Sequence, residues 1–160
     1  MQILVDADSC PHEARDVVLR FSARLGIPVI FAANRPIPGI PMQSEKISSP
    51  AKVRMEICPP GEGSADDRIV SLAKPGDLVI TRDLPLAERI VNAGIHVMDD
   101  RGTIFSEENI RERRSMRDFI VGLADSGMGI ERTASYGSKE LNTFANSLDR
   151  ELTRLYPASG

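Results

Sequence analysis

Short apolar runs separated by amphipathic stretches set the rhythm of this chain. Ile3, Leu4 and Val5 carry no charge among them and are too few for a helix, which predicts a strand buried on both faces. Pro11 suits a helix start, and Ala14, Val17, Val18, Phe21 and Leu25 recur at helical spacing until Gly26 stops them. Pro28 to Ala32 (PVIFA) reads as a second buried strand, and Val53 to Ile57 as a weaker one. Between them, Asn34 to Pro50 holds prolines 36, 38, 41 and 50 and is expected to be an irregular loop or edge.

From Pro59 to Gly102 the pattern runs turn, helix, strand, helix, strand, with Gly76 and Gly94 at the helix exits. A charged helix is expected from Glu107 to about Asp125, with Ile110, Met116, Phe119, Ile120 and Leu123 turned inward and Gly127 ending it. GMGIERTASYGS is expected to be mobile. From Lys139 a last helix sets Leu141, Phe144, Ala145, Leu148, Leu152 and Leu155 on one stripe. Strands alternating with helices predict an α/β fold with a mostly parallel central sheet, whose ligands bind at the carboxyl ends of strands. Residues 1–127 are expected to form this domain. Residues 128–160 are expected to supply a linker and an amphipathic helix that packs on the domain or on a partner, a second copy included.

Composition narrows the function. At 160 residues the chain is long enough to bury a core, and 41% apolar with 27% charged residues is ordinary for a globular domain. Aromatic content of 4% without Trp disfavours recognition of bases by stacking. A net charge of −3 leaves room for a local basic patch beside an acidic pole. Asp6 and Asp8 interrupt the opening apolar residues, so no signal sequence is read, and no apolar run reaches membrane length; a cytoplasmic location is expected. Cys10 and Cys58 lack the spacing of a zinc site or a disulfide framework and are expected to be free thiols.

The chemistry gathers at strand ends. Asp6 and Asp8 follow the first strand in VDADSCP, Asp83 follows the strand Leu78 to Thr81, and Asp66 begins a helix after Ser64. In a parallel sheet the two strand ends share one rim, and the turn before Asp66 can bring that residue to it. Carboxylates gathered there repel one another unless protons or a cation neutralise them, and oxygen ligands suit Mg²⁺ or Mn²⁺. Such a site fits phosphodiester chemistry, because the cation lowers the pKa of a bound water and neutralises charge on the phosphate. Asp67 is explained by the helix dipole, and Asp77 stands before its strand, at the wrong end.

With these residues in hand, the sequence resembles the YaiI/YqxD family, an uncharacterised bacterial group assigned to the PIN-like superfamily of metal-dependent nucleases. The resemblance rests on VDADSCP (5–11), VIFAAN ending at Asn34, Ala65, Asp66, Ile69 and Val70, GDLVITRDLPLA (76–87) and IRERRSMRDF (110–119). It implies a three-layer α/β/α PIN-like domain, an acidic pocket of Asp6, Asp8, Asp66 and Asp83 holding Mg²⁺ or Mn²⁺, and cleavage of RNA. Asp99-Asp100-Arg101-Gly102 stands where the family usually shows Asn-Pro-Arg-Gly, and CPPGEGSAD replaces its usual approach to Asp66.

Arg113 and Arg117 lie one helical turn apart in RERRSMR, with Arg101 upstream in a tight turn, and the three are expected to hold the phosphates of an RNA substrate. A rival resemblance is to haloacid dehalogenase-like phosphatases, whose first strand ends DxDx(T/V): Asp6 would be the nucleophile, Asp8 the acid, Lys74 the required lysine and Asp99-Asp100 the acidic pair. CPHEAR echoes a thiolate phosphatase loop, but only four residues separate Cys10 from Arg15 and the glycines of a phosphate-wrapping loop are missing. His12 and His96 read as a surface and a near-core residue. A third alternative is a PIN-like scaffold that binds RNA or protein without turnover.

Overall fold

The computed structural model describes residues 1–37, 40, 53–61, 63–125 and 136–156. Five parallel strands are found among them: β1 (Ile3–Asp6), β2 (Val29–Ala33), β3 (Val53–Ile57), β4 (Leu78–Ile80) and β5 (His96–Met98). Their order in the sheet is β3-β2-β1-β4-β5. Val5 sits beside Phe31 on one side and Ile80 on the other, so β1 is central and both its edges are paired. That explains why its residues carry no outward polar alternation: all four are buried.

Helices α1 (His12–Leu25) and α5 (Ser138–Leu155) cover one face, while α2 (Ser64–Leu72), α3 (Leu84–Asn92) and the start of α4 (Glu107–Asp125) cover the other. The first core joins Val5, Phe31 and Ile80 to Val17 and Val18 of α1 and to Phe144, Leu148 and Leu152 of α5. The second joins Leu4, Ile30 and Val79 to Ile69, Leu86, Ile90 and Ile110. The fold is therefore a three-layer α/β/α domain with an all-parallel sheet, of the PIN-like kind, and the last helix belongs to its core. Gly26, with φ +69, caps α1 in the left-handed conformation that its sequence position anticipates.

Two local readings change. Pro11 is the residue just before α1 and not its first helical residue, a shift of one position at a helix boundary. The apolar side chains of α4 are not all inward: Ile110 is buried, but Met116 and Phe119 are 59% and 62% exposed, and Ile120 and Val121 are exposed too. The helix is anchored by its first turn and by Arg114 Nη1, 2.9 Å from Glu88 Oε1 of α3; from Arg111 to Gly122 every other side chain is exposed. The side chain of Leu123, the stop at Gly127, nearly all of the expected mobile stretch and most of the proline-rich segment lie outside the described residues.

Candidate active site

The connections leave β1 for β2 on one side, and the chain later returns to β4 on the other, so a crevice opens beyond the carboxyl ends of β1 and β4. It is a cleft of about 380 Å³, and Asp6, Asp8, Asp66 and Asp83 all line it, with Ser9, Asn34 and Arg82 beside them. The four acids named from the sequence are thus brought together from three separate segments.

Each is held by a different device. Asp6, the last residue of β1, is buried and accepts Ser9 Oγ at 3.0 Å and Thr81 Oγ1 at 2.9 Å, both on Oδ2. The Thr81 hydroxyl in turn accepts the Asp83 backbone N–H at 3.0 Å, so one hydroxyl ties the two strand ends. Asp83 caps α3 by accepting the Leu86 N–H on Oδ1 at 3.1 Å. Asp8 Oδ2 accepts the Asn34 N–H at 3.0 Å, and Asn34 Oδ1 accepts Ser64 Oγ at 3.2 Å, linking the ends of β1 and β2 to the start of α2. Asp66, in the first turn of that helix, accepts no hydrogen bond among the described residues.

This leaves oxygens to spare. Oδ1 of Asp6, Oδ1 of Asp8, Oδ2 of Asp83 and both oxygens of Asp66 have no hydrogen-bond donor among the described residues, although they share one cleft. Burial pushes the Asp6 carboxyl up; the hydroxyls of Thr81 and Ser9 counter this, while Asp83 and Asp8 add to it. Asp66 is pushed up to about 6, first by burial and then by the charges of Asp83 and Asp6. Among the described residues no three acidic, histidine or cysteine side chains close on a point as a ready-made metal site. The carboxylates ring the cleft instead. Carboxylate oxygens are the donors a hard divalent cation takes, but as they stand around the cleft they do not form a closed ligand set.

Arg101, Arg113 and Arg117 do not line this cleft. Arg101 lies over the Tyr136 ring and 3.9 Å from Glu140, and Arg113 lies over the Phe105 ring. The guanidinium that does line it is Arg82, paired with the buried carboxylate of Asp100. Sequence reasoning missed Arg82, Ser9, Thr81 and Asn34 as parts of the site; their only signal is immediate adjacency to strand ends. Asp67 forms an exposed ion pair with Arg89 at 2.9 Å, and Asp77 receives the Gln2 and Lys74 N–H groups at the opposite edge of the sheet. Lys74 therefore stands at the amino edge, away from Asp6. Asp99 is used by its own turn, accepting the N–H groups of Arg101 and Thr103. Cys10 and Cys58 are free, and burial pushes the Cys10 thiol up to about 12, which suits an inert thiol and not a nucleophile.

The model of the uncharacterised YaiI/YqxD family matches residues 4–154, a span that takes in nearly all of both cores and all four acids. The chain belongs to that family. A UPF0178 protein of Treponema pallidum is 45% identical over 97% of this chain and 83% of its own length. Those of Stutzerimonas stutzeri and Syntrophobacter fumaroxidans are each 41% identical, covering 97% and 100% of this chain and 97% and 99% of their own. No solved structure matches the chain. Among the described residues no helix is long and apolar enough to cross a membrane.

Proposed function

We propose that this member of the YaiI/YqxD family is a metal-dependent ribonuclease that hydrolyses RNA phosphodiesters. The observation that carries the reading is the convergence of four carboxylates from three segments on one cleft at the switch point of the sheet, with oxygens that accept no hydrogen bond among the described residues. A Mg²⁺ or Mn²⁺ ion held by Asp6, Asp8, Asp66 and Asp83 would supply an acidified water and charge neutralisation at the phosphate. The chain's own part is orientation. Thr81 and Ser9 fix the Asp6 carboxylate, the α3 cap fixes Asp83, and the Asn34 bridge fixes Asp8. Asp66, which accepts no hydrogen bond among the described residues, is left available to the ion or to its water. Arg82 gives the rim a positive charge beside these acids.

The phosphatase alternative loses support from Lys74, which lies at the amino edge, and from Asp99 and Asp100, which are engaged by a turn and by Arg82. Cleavage of single-stranded RNA with Mn²⁺ by the wild type, Asp6→Asn and Asp66→Asn tests the proposal. The expected result is activity in the wild type and a loss of about 10²-fold or more in each variant. Equal rates in all three proteins would defeat it.

A further inference from the structure

A second cleft of about 390 Å³ opens on the other side of Asp8, lined by Ala7, Asp8, Cys10, Arg15, Arg35 and neighbouring Pro36 and Ile37. Asp8 lines both clefts, so they are neighbours on either side of that residue. The Asn34 N–H to Asp8 bond fixes the chain immediately before Arg35, and α1 fixes Arg15.

The two arginines differ from others of the described residues. Arg24, Arg54, Arg68, Arg82, Arg89, Arg114 and Arg154 each have an acidic partner. Arg15 and Arg35 have no ion pair or hydrogen bond from their side chains among the described residues, and the Arg15 Nε is fully buried without an acceptor. A buried guanidinium nitrogen left without an acceptor calls for one, and the planar fork of arginine matches a phosphate.

We propose that Arg15 and Arg35 form a phosphate subsite that holds the RNA backbone one step away from the acidic cleft, so that the strand passes over Asp8 with one phosphodiester at the carboxylates and a neighbouring phosphate at the arginines. This rests on the ribonuclease reading for its ligand, and on the two clefts for its geometry. Arg15 and Arg35 would thereby set the register of the strand relative to the cleaved bond, a role that the exposed arginines of α4 cannot fill from outside both clefts.

The test is binding of a short fluorescent oligouridylate in EDTA, where no cleavage occurs, to the wild type, Arg15→Gln, Arg15→Lys and Arg35→Gln across a salt series, with Mn²⁺ titrations alongside. Each Gln variant is expected to weaken binding several-fold and to flatten the dependence of log affinity on log salt by about 0.7, the release expected for one lost phosphate contact on a single strand. Arg15→Lys is expected to keep the salt slope while losing affinity, and Mn²⁺ binding is expected to be unchanged throughout. Gln variants that bind with wild-type affinity and slope overturn the subsite, as does a wild type that does not bind the oligonucleotide. Arg35 is exposed, so its variant answers the question even if Arg15→Gln folds poorly. RNA binding that depends on both arginines in a protein that fails to cleave with Mn²⁺ would keep the subsite and remove the ribonuclease reading.

Discussion

Thr81 donates its hydroxyl to the Asp6 carboxylate at 2.9 Å across the seam between β4 and β1. The contact joins residues 75 positions apart, and with the Asp83 N–H on the same oxygen it makes one threonine the hinge pin of the acidic cleft.

Thr81→Val keeps the shape and removes the hydroxyl. A buried carboxylate then loses a donor and the Asp83 N–H loses its acceptor, so the variant is expected to be less stable by about 1–3 kcal/mol. Urea denaturation measures it. The Asp6 carboxyl, which this hydroxyl holds down, should also titrate at higher pH.

Asp66→Asn should stabilise the protein while removing function. The carboxyl titrates at about 6 in the folded state against 3.8 ordinarily, so the folded form binds the proton more tightly and stability is lost as pH rises from about 4 to above 6. The amide abolishes that loss. Because Asp66 is partly exposed, solvent screening limits the gain to about 1 kcal/mol, a rise of about 2–4 °C in Tm at pH 8 in EDTA. At pH 4 the two proteins should melt together. A lower Tm for the variant at pH 8 would contradict the repulsion described for this cleft.

Metal affinity should follow the same titration. A cation competes with the proton on Asp66, so Mn²⁺ affinity is expected to be level above pH 7 and to fall by about tenfold per unit below 6. Calorimetric titration at pH 5, 6 and 7.5 reads it directly. Pushed-up Asp6 should steepen the fall at the acid end.

Gly102→Ala probes the seat of the last helix. A Cβ there would lie 2.8 Å from Ser147 Oγ and 2.9 Å from the Thr143 carbonyl, at φ +88, so strain and collision combine. A loss of about 2 kcal/mol or more is expected in urea denaturation. Gly76→Ala, at φ +94 with nothing within 4 Å of the added carbon, should show the backbone cost alone, about 1 kcal/mol.

The strands were legible because a central parallel strand has no solvent side: Ile3 to Val5 and Leu78 to Ile80 are apolar without alternation, and the acids that end such runs are conspicuous. Asp66 was legible only by assuming that its turn reached the same rim. What the chain does not spell out is pairing at long range. Nothing local marks Arg82 as the partner of Asp100, or Thr81 as the donor to Asp6, because each link is made by the register of β1, β4 and β5. The misread face of α4 has a similar cause. Periodicity reveals that Met116, Phe119 and Ile120 share a stripe, but a stripe does not state what lies opposite it, and α3 meets only the first turns of the helix.

The pairing of α1 with α5 over one face of the sheet ties the earliest helix of the chain to the latest. During synthesis, Val5, Phe31 and Ile80 can line up as a sheet long before Phe144 and Leu148 emerge to roof them. The part of this face that α1 does not cover thus stays open until α5 has been made. The nascent chain should accordingly be a chaperone client until that helix emerges, and folding should be slow because its closing contacts join segments far apart in sequence.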